Sequence, residues 1–182
     1  MPKLPNRPHT ALLVVDAQTN VVKAAHARDA VIANIASLVE KARQAKTAVI
    51  WVMQTDDELS RGSEEWKLAA PLGAVEGEPV IEKTYGDAFE ETVLEAELQR
   101  LGIGHLIVAG AQTDACIRAT IHGAFVRGYD VTLVIDAHTT EDFTSYGAPS
   151  PDQVIAHTNL YWKYETAPGR KAAAIPTAEV TF

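Results

Sequence analysis

"HLIVAGAQTDACIRATIHGAFVRGYDVTLVID", running from His105 to Asp136, decides the fold. It opens on a short apolar run, "HLIVAG", with the length and composition of a strand. A polar turn follows, and then Ile117, Ile121 and Phe125 recur four residues apart on one helical stripe. The stripe ends near Gly128, a residue suited to helix termination, and "DVTLVID" starts a second β-rich run. Strand, helix and strand in succession make the βαβ unit of a parallel sheet.

The same alternation extends in both directions. "ALLVV" (Ala11 to Val15) reads as a buried strand that ends at Asp16. Val31, Ile35, Leu38 and Ala42 mark a helix, and "TAVIWVM" (Thr47 to Met53) a second strand. Residues 54–78, with Gly62, Pro71, Gly73 and Gly77, form a long excursion, and "PVIEK" (Pro79 to Lys83) a third, short strand. A helix from about Asp87 carries Leu94, Leu98 and Leu101 on one face and stops at Gly102. In "SPDQVIAHTNLYW", Ser150, Pro151 and Gln153 supply an N-cap, a first-turn proline and a capping-box partner. "AAAIP" is expected to add a sixth strand. The predicted architecture is one domain over residues 1–182: three α/β/α layers around a mostly parallel six-stranded sheet. Residues 1–9 form an N-terminal arm and 163–182 a C-terminal segment.

Composition narrows the function. With 47% apolar and 22% charged residues in 182, the chain is globular rather than disordered. A net charge of −8 argues against nucleic acid as a partner, since phosphate binding is built on Lys and Arg clusters. No apolar run approaches the roughly 18 residues of a membrane span, and "MPKLPNRPHT" lacks the apolar core of a secretion signal. One cysteine makes no internal disulfide, so a reducing cytoplasm is the expected location.

Ligands of such sheets bind beyond the carboxyl ends of the strands. Asp16 closes the first strand, Lys83 the third, and Cys116 follows the fourth. A thiol near a helix N-terminus is drawn towards thiolate, the more so beside a lysine. Asp16 could take the thiol proton and return it to a leaving group. Each residue also has a plainer role: a buried structural cysteine, a turn aspartate, a surface lysine. Asp114, two residues before Cys116, would oppose thiolate formation unless it caps the helix, as Thr113 also could.

Three motifs together resemble the isochorismatase-like cysteine hydrolases, a family with nicotinamidases, carbamoyl-amide hydrolases and streptothricin hydrolases among its members. They are "LLVVDAQTN", "EKTYGDAF" and "GAQTDACI", followed by the strand "GYDVTLVIDA"; the resemblance covers roughly residues 10 to 162. It implies an isochorismatase-like fold and a catalytic triad of Asp16, Lys83 and Cys116. It implies a cis peptide at Ala111–Gln112 that aims the Gln112 N–H, with that of Cys116, into an oxyanion hole. It also implies a homo-oligomer, dimer or tetramer.

The departures from the family pattern are informative. After the aspartate, relatives carry Q-N-D-F, whereas here Gln18, Thr19, Asn20 and Val21 follow. The loop "QTDDELSRGSEEW" holds none of the histidines of zinc-binding nicotinamidases, so neither a metal nor another cofactor is expected. Gln18, Asn20, Trp66 and Tyr85 are the pocket candidates. The expected activity is hydrolysis of a C–N bond, amide or carbamoyl, in a small molecule through a thioester. The alternatives are acid-catalysed vinyl-ether cleavage, as in isochorismatases that lack the cysteine, and a non-catalytic binding or assembly module.

Overall fold

The structure is a computed structural model that describes residues 3–182; the first two residues of the expected N-terminal arm lie outside it. Seven strands form the sheet: β1 (His9–Val15), β2 (Ala48–Gln54), β3 (Val80–Lys83), β4 (Ile103–Ala111), β5 (Asp130–Thr139), β6 (Thr166–Ala167) and β7 (Arg170–Ile175). Their spatial order is β3-β2-β1-β4-β5-β7-β6. All pairings are parallel except the β6–β7 hairpin at one edge. Four helices cover the faces: α1 (Arg28–Gln44), α2 (Leu94–Arg100), α3 (Arg118–Arg127) and α4 (Pro151–Lys163). The three-layer α/β/α architecture is as expected, with one strand more.

Strand alternation divides the core in two. Ala11, Leu13 and Val15 of β1 face the α2, α3 and α4 side, where Leu94, Ile121, Phe125 and Trp162 pack. Leu12 and Val14 face α1, which presents Val31, Ile35, Leu38 and Ala42. Both faces of the central strands are therefore apolar, which explains runs such as "ALLVV". Trp162 is fully buried and serves packing.

Two expectations are corrected. The helix expected from Asp87 begins only at Leu94. The Thr92 hydroxyl donates to the Ala88 carbonyl and accepts the Leu94 N–H, holding the preceding residues in turns. The expected sixth strand starts two residues earlier than "AAAIP", at Arg170, and Thr166–Ala167 pairs with it as a seventh. The C-terminal segment joins the sheet and the core on its α1 side. It lies parallel to β5, its Val180 is buried, and Asp136 accepts both the backbone N–H and the hydroxyl of Thr177. At α4, the capping box of Ser150 and Gln153 with Pro151 in the first turn is as read from sequence.

Sheet order reverses between β1 and β4: β2 and β3 extend to one side of β1, and the chain returns to its other side for β4. Such a switch point opens a crevice at the strand ends. Gly110, near the end of β4, passes close to β1 there. A Cβ on it would lie 1.9 Å from the Val15 carbonyl oxygen, and its φ is 126°. Only glycine fits. Gly110→Ala is expected to destabilise the fold by about 3 kcal/mol or more, the scale of forced core strain. Chemical denaturation checks this; an unchanged midpoint would contradict the close approach.

Candidate active site

Asp16 follows β1 with φ 48°, in the left-handed region that Asp tolerates better than branched residues do. Its N–H donates to the Val52 carbonyl at 2.9 Å, so the turn stays tied to β2. Lys83 is the last residue of β3, two strands away, and its side chain reaches back across the end of β2. Cys116 lies in a five-residue π-turn, Thr113–Ile117, between β4 and α3. The Ile117 N–H reaches the Gln112 carbonyl at 3.1 Å, the wide i to i+5 bond of such turns.

These elements bring the three side chains together. The Lys83 ammonium sits 2.7 Å from Asp16 Oδ2 and 3.2 Å from Cys116 Sγ. Both side chains of the Lys83–Asp16 pair are buried. The other carboxylate oxygen, Asp16 Oδ1, is buried without a hydrogen-bond partner. Burial raises the proton affinity of Asp16, against the pull of Lys83 and of the neighbouring thiol. The Ala111–Gln112 peptide is cis, and Ala111 is fully buried while Gln112 is half-buried.

The thiol departs from the sequence reading. Helix dipole and lysine were expected to favour thiolate. Burial instead pushes Cys116 up to about 11, and the Asp16 charge adds to this more than Lys83 removes. Burial and the Asp16 charge thus favour the neutral thiol over the thiolate, and Lys83 opposes them. Neither Asp114 nor Thr113 caps the helix, and no side chain caps the turn. Asp114 accepts from the Thr140 hydroxyl at 2.6 Å. Thr113 bonds at 2.8 Å to His138 Nδ1, and His138 Nε2 meets Asn159 Oδ1 at 2.8 Å.

The pocket candidates separate. Gln18 does not line a pocket: it is fully buried, and its amide bonds the N–H and carbonyl of Gln54 and the carbonyl of Trp66. It clamps the excursion after β2 to the sheet. Trp66 is half-buried, its indole N–H donating to Thr55 Oγ1 at 2.9 Å. Asn20 and Tyr85 are exposed, Tyr85 following two residues after Lys83. A cleft of ≈ 470 Å³ includes Asp114 and Arg118, on either side of Cys116 in sequence, together with His122, His157 and Tyr161. Cys116 itself is not in its lining.

Gln54 was missed by sequence reasoning, which ended the second strand at Met53. It is the last residue of β2, and its side-chain oxygen accepts from the Lys83 ammonium at 2.6 Å. Its position, at a strand end between those of Asp16 and Lys83, is the signal that could have found it. Among the described residues no three His, Cys, Asp or Glu side chains gather as a metal site would require. No helix among them is long and apolar enough to cross a membrane.

The family model described as "Isochorismatase domain" matches residues 10–149. The chain belongs to the isochorismatase family. A streptothricin hydrolase of Streptomyces noursei is 32% identical over 179 residues, covering 94% of this chain and 70% of the relative. Nicotinamidase 3 of Arabidopsis thaliana is 27% identical over 153 residues, covering 75% of this chain and 76% of the relative. An isochorismatase crystal structure from Pseudomonas putida KT2440 superposes with a TM-score of 0.85 at 28% identity, covering 94% of this chain and 90% of that one. The chain is thus an isochorismatase-family hydrolase, and a streptothricin hydrolase and a nicotinamidase are among its relatives.

Proposed function

We propose that the protein is a cysteine-dependent hydrolase of small-molecule C–N bonds, amide or carbamoyl, acting through a thioester. The observation that carries this is the contact of one buried ammonium with both Asp16 Oδ2 and Cys116 Sγ, while Asp16 Oδ1 stays free. As the sulfur adds to the substrate carbonyl, its proton passes to Asp16 Oδ1. Lys83 offsets the charge on both groups, and the backbone N–H groups of Gln112 and Cys116 hold the oxyanion. Asp16 then protonates the departing nitrogen, the C–N bond breaks, and the acyl group remains on sulfur. Water, deprotonated by Asp16, cleaves the thioester and returns the thiol.

A raised proton affinity at Asp16 also suits direct protonation of a vinyl ether. That reading gives no task to the thiol held against Lys83.

Mass spectrometry of the protein quenched with a slowly turned-over amide is expected to show an acyl adduct on Cys116. Asp16→Asn removes the proton acceptor and should slow turnover by about 10²–10⁴-fold. No adduct, with turnover intact in Asp16→Asn, would end the proposal.

A further inference from the structure

The Lys83 ammonium has three N–H donors and, being charged, no acceptor. Two go to Asp16 and Cys116; the third goes to Gln54 Oε1, the shortest of the three contacts at 2.6 Å. Gln54 can offer its oxygen only if its NH₂ group points away. Its orientation is fixed by two neighbours that can only accept: the Thr84 carbonyl, 3.1 Å from Nε2, and Asp56 Oδ2, at 3.0 Å. Asp56 is fixed in turn, because its Oδ1 takes the N–H groups of Glu58 and Leu59 at 3.0 and 2.9 Å. The Gln54 main chain is held by Gln18, which also grips the Trp66 carbonyl.

We propose that Asp56 and Gln54 form a positioning relay: Asp56 sets the direction of the Gln54 amide, and that amide holds the Lys83 ammonium between Asp16 Oδ2 and Cys116 Sγ. Neither residue is assigned contact with substrate. This rests on the triad reading above. It ties the excursion after β2, otherwise a surface loop, to the placement of the catalytic charge. Without the Gln54 oxygen the ammonium keeps an unsatisfied buried N–H, a costly arrangement that favours its moving away. The field at the sulfur then weakens.

The test reads that field through the chain's only cysteine. Alkylation rates are measured with iodoacetate, an anion, and with iodoacetamide, its neutral counterpart. Their ratio cancels access and thiol ionisation, which a merely loosened loop would change for both reagents alike. It retains the attraction of the anion to the ammonium. In Lys83→Ala the ratio is expected to fall about fivefold, the effect of one unit charge a few ångströms away. Gln54→Met, which keeps the length but not the oxygen, should lower it comparably, and Asp56→Asn in the same direction by less.

A ratio that falls in Lys83→Ala but not in Gln54→Met overturns the relay and leaves the triad reading standing. A ratio unchanged in all three, Lys83→Ala included, overturns both. If Gln54→Met does not fold, Asp56→Asn decides, since Asp56 is exposed; an unchanged ratio there overturns the relay.

Discussion

Replacing Cys116 with alanine is expected to reduce amide hydrolysis by about 10⁴-fold or more, the scale on which loss of a nucleophile acts in covalent hydrolases. The expectation follows from the geometry around the sulfur. Lys83 Nζ lies 3.2 Å from it, and burial with the Asp16 charge pushes the thiol up to about 11. Under the proposed mechanism Asp16 takes the thiol proton as the sulfur attacks, and alanine leaves it nothing to deprotonate. A panel of small primary amides and carbamoyl compounds, assayed by ammonia release, checks it. Near wild-type turnover in Cys116→Ala would move the chemistry to Asp16 alone, and vinyl ethers would become the substrates to try. Iodoacetamide-treated wild type should behave like the alanine variant.

The second large effect concerns acid stability and arises at His138. The Asn159 amide donates its N–H to the Ile135 carbonyl, so its oxygen must accept from His138 Nε2. His138 Nδ1 is then the bare nitrogen, and the Thr113 hydroxyl donates to it. This arrangement has no place for a second ring proton, and burial lowers His138 to about 4 from an ordinary 6.5. A histidine depressed in the folded state binds fewer protons there than in the unfolded chain. Its contribution is complete above pH 6.5 and is lost as pH falls towards 4. The loss is about 3 kcal/mol at pH 4. Asp16 has the opposite sign, because its proton affinity rises on folding. The comparison to make is therefore between wild type and His138→Asn, by urea denaturation at pH 7 and pH 4. Wild type should lose about 3 kcal/mol more than the variant over that interval. Equal losses would mean that His138 does not titrate in this way. Thr113, the first residue of the turn that carries Cys116, thus depends on a neutral imidazole, and turn geometry should fail in acid with the fold.

Most of the architecture could be read from the chain because apolar runs and helical stripes are local signals. "ALLVV", "TAVIWVM" and "DVTLVID" lie on sheet strands, and Ile121 and Phe125 lie on the inner face of α3, with Ile117 buried at the end of the turn before it. The errors came where a side chain competes with the backbone or where pairing is long-range. Thr92 delayed α2, and β6 exists only because β7 is there to pair with it. The convergence of Asp16, Lys83 and Cys116 followed from motif order and strand ends. The state of the thiol did not, because burial has no signature in a heptapeptide. Gln18 and Gln54 show the same limit: both are polar residues in "DAQT" and "VMQT", and only the sheet order reveals that one clamps the other against the lysine.

The π-turn at Thr113–Ile117 has a rotational consequence. A tighter α-turn over the same residues would carry one residue fewer per cycle, and each residue in an α-helix advances by about 100° around the axis. The extra residue sets the azimuth of the sulfur separately from that of α3, whose Ile121 and Phe125 are locked to the core by packing. The helix can therefore keep its buried stripe aligned with the sheet while the preceding turn aims the Cys116 sulfur at Lys83, so that scaffold and sulfur are phased independently.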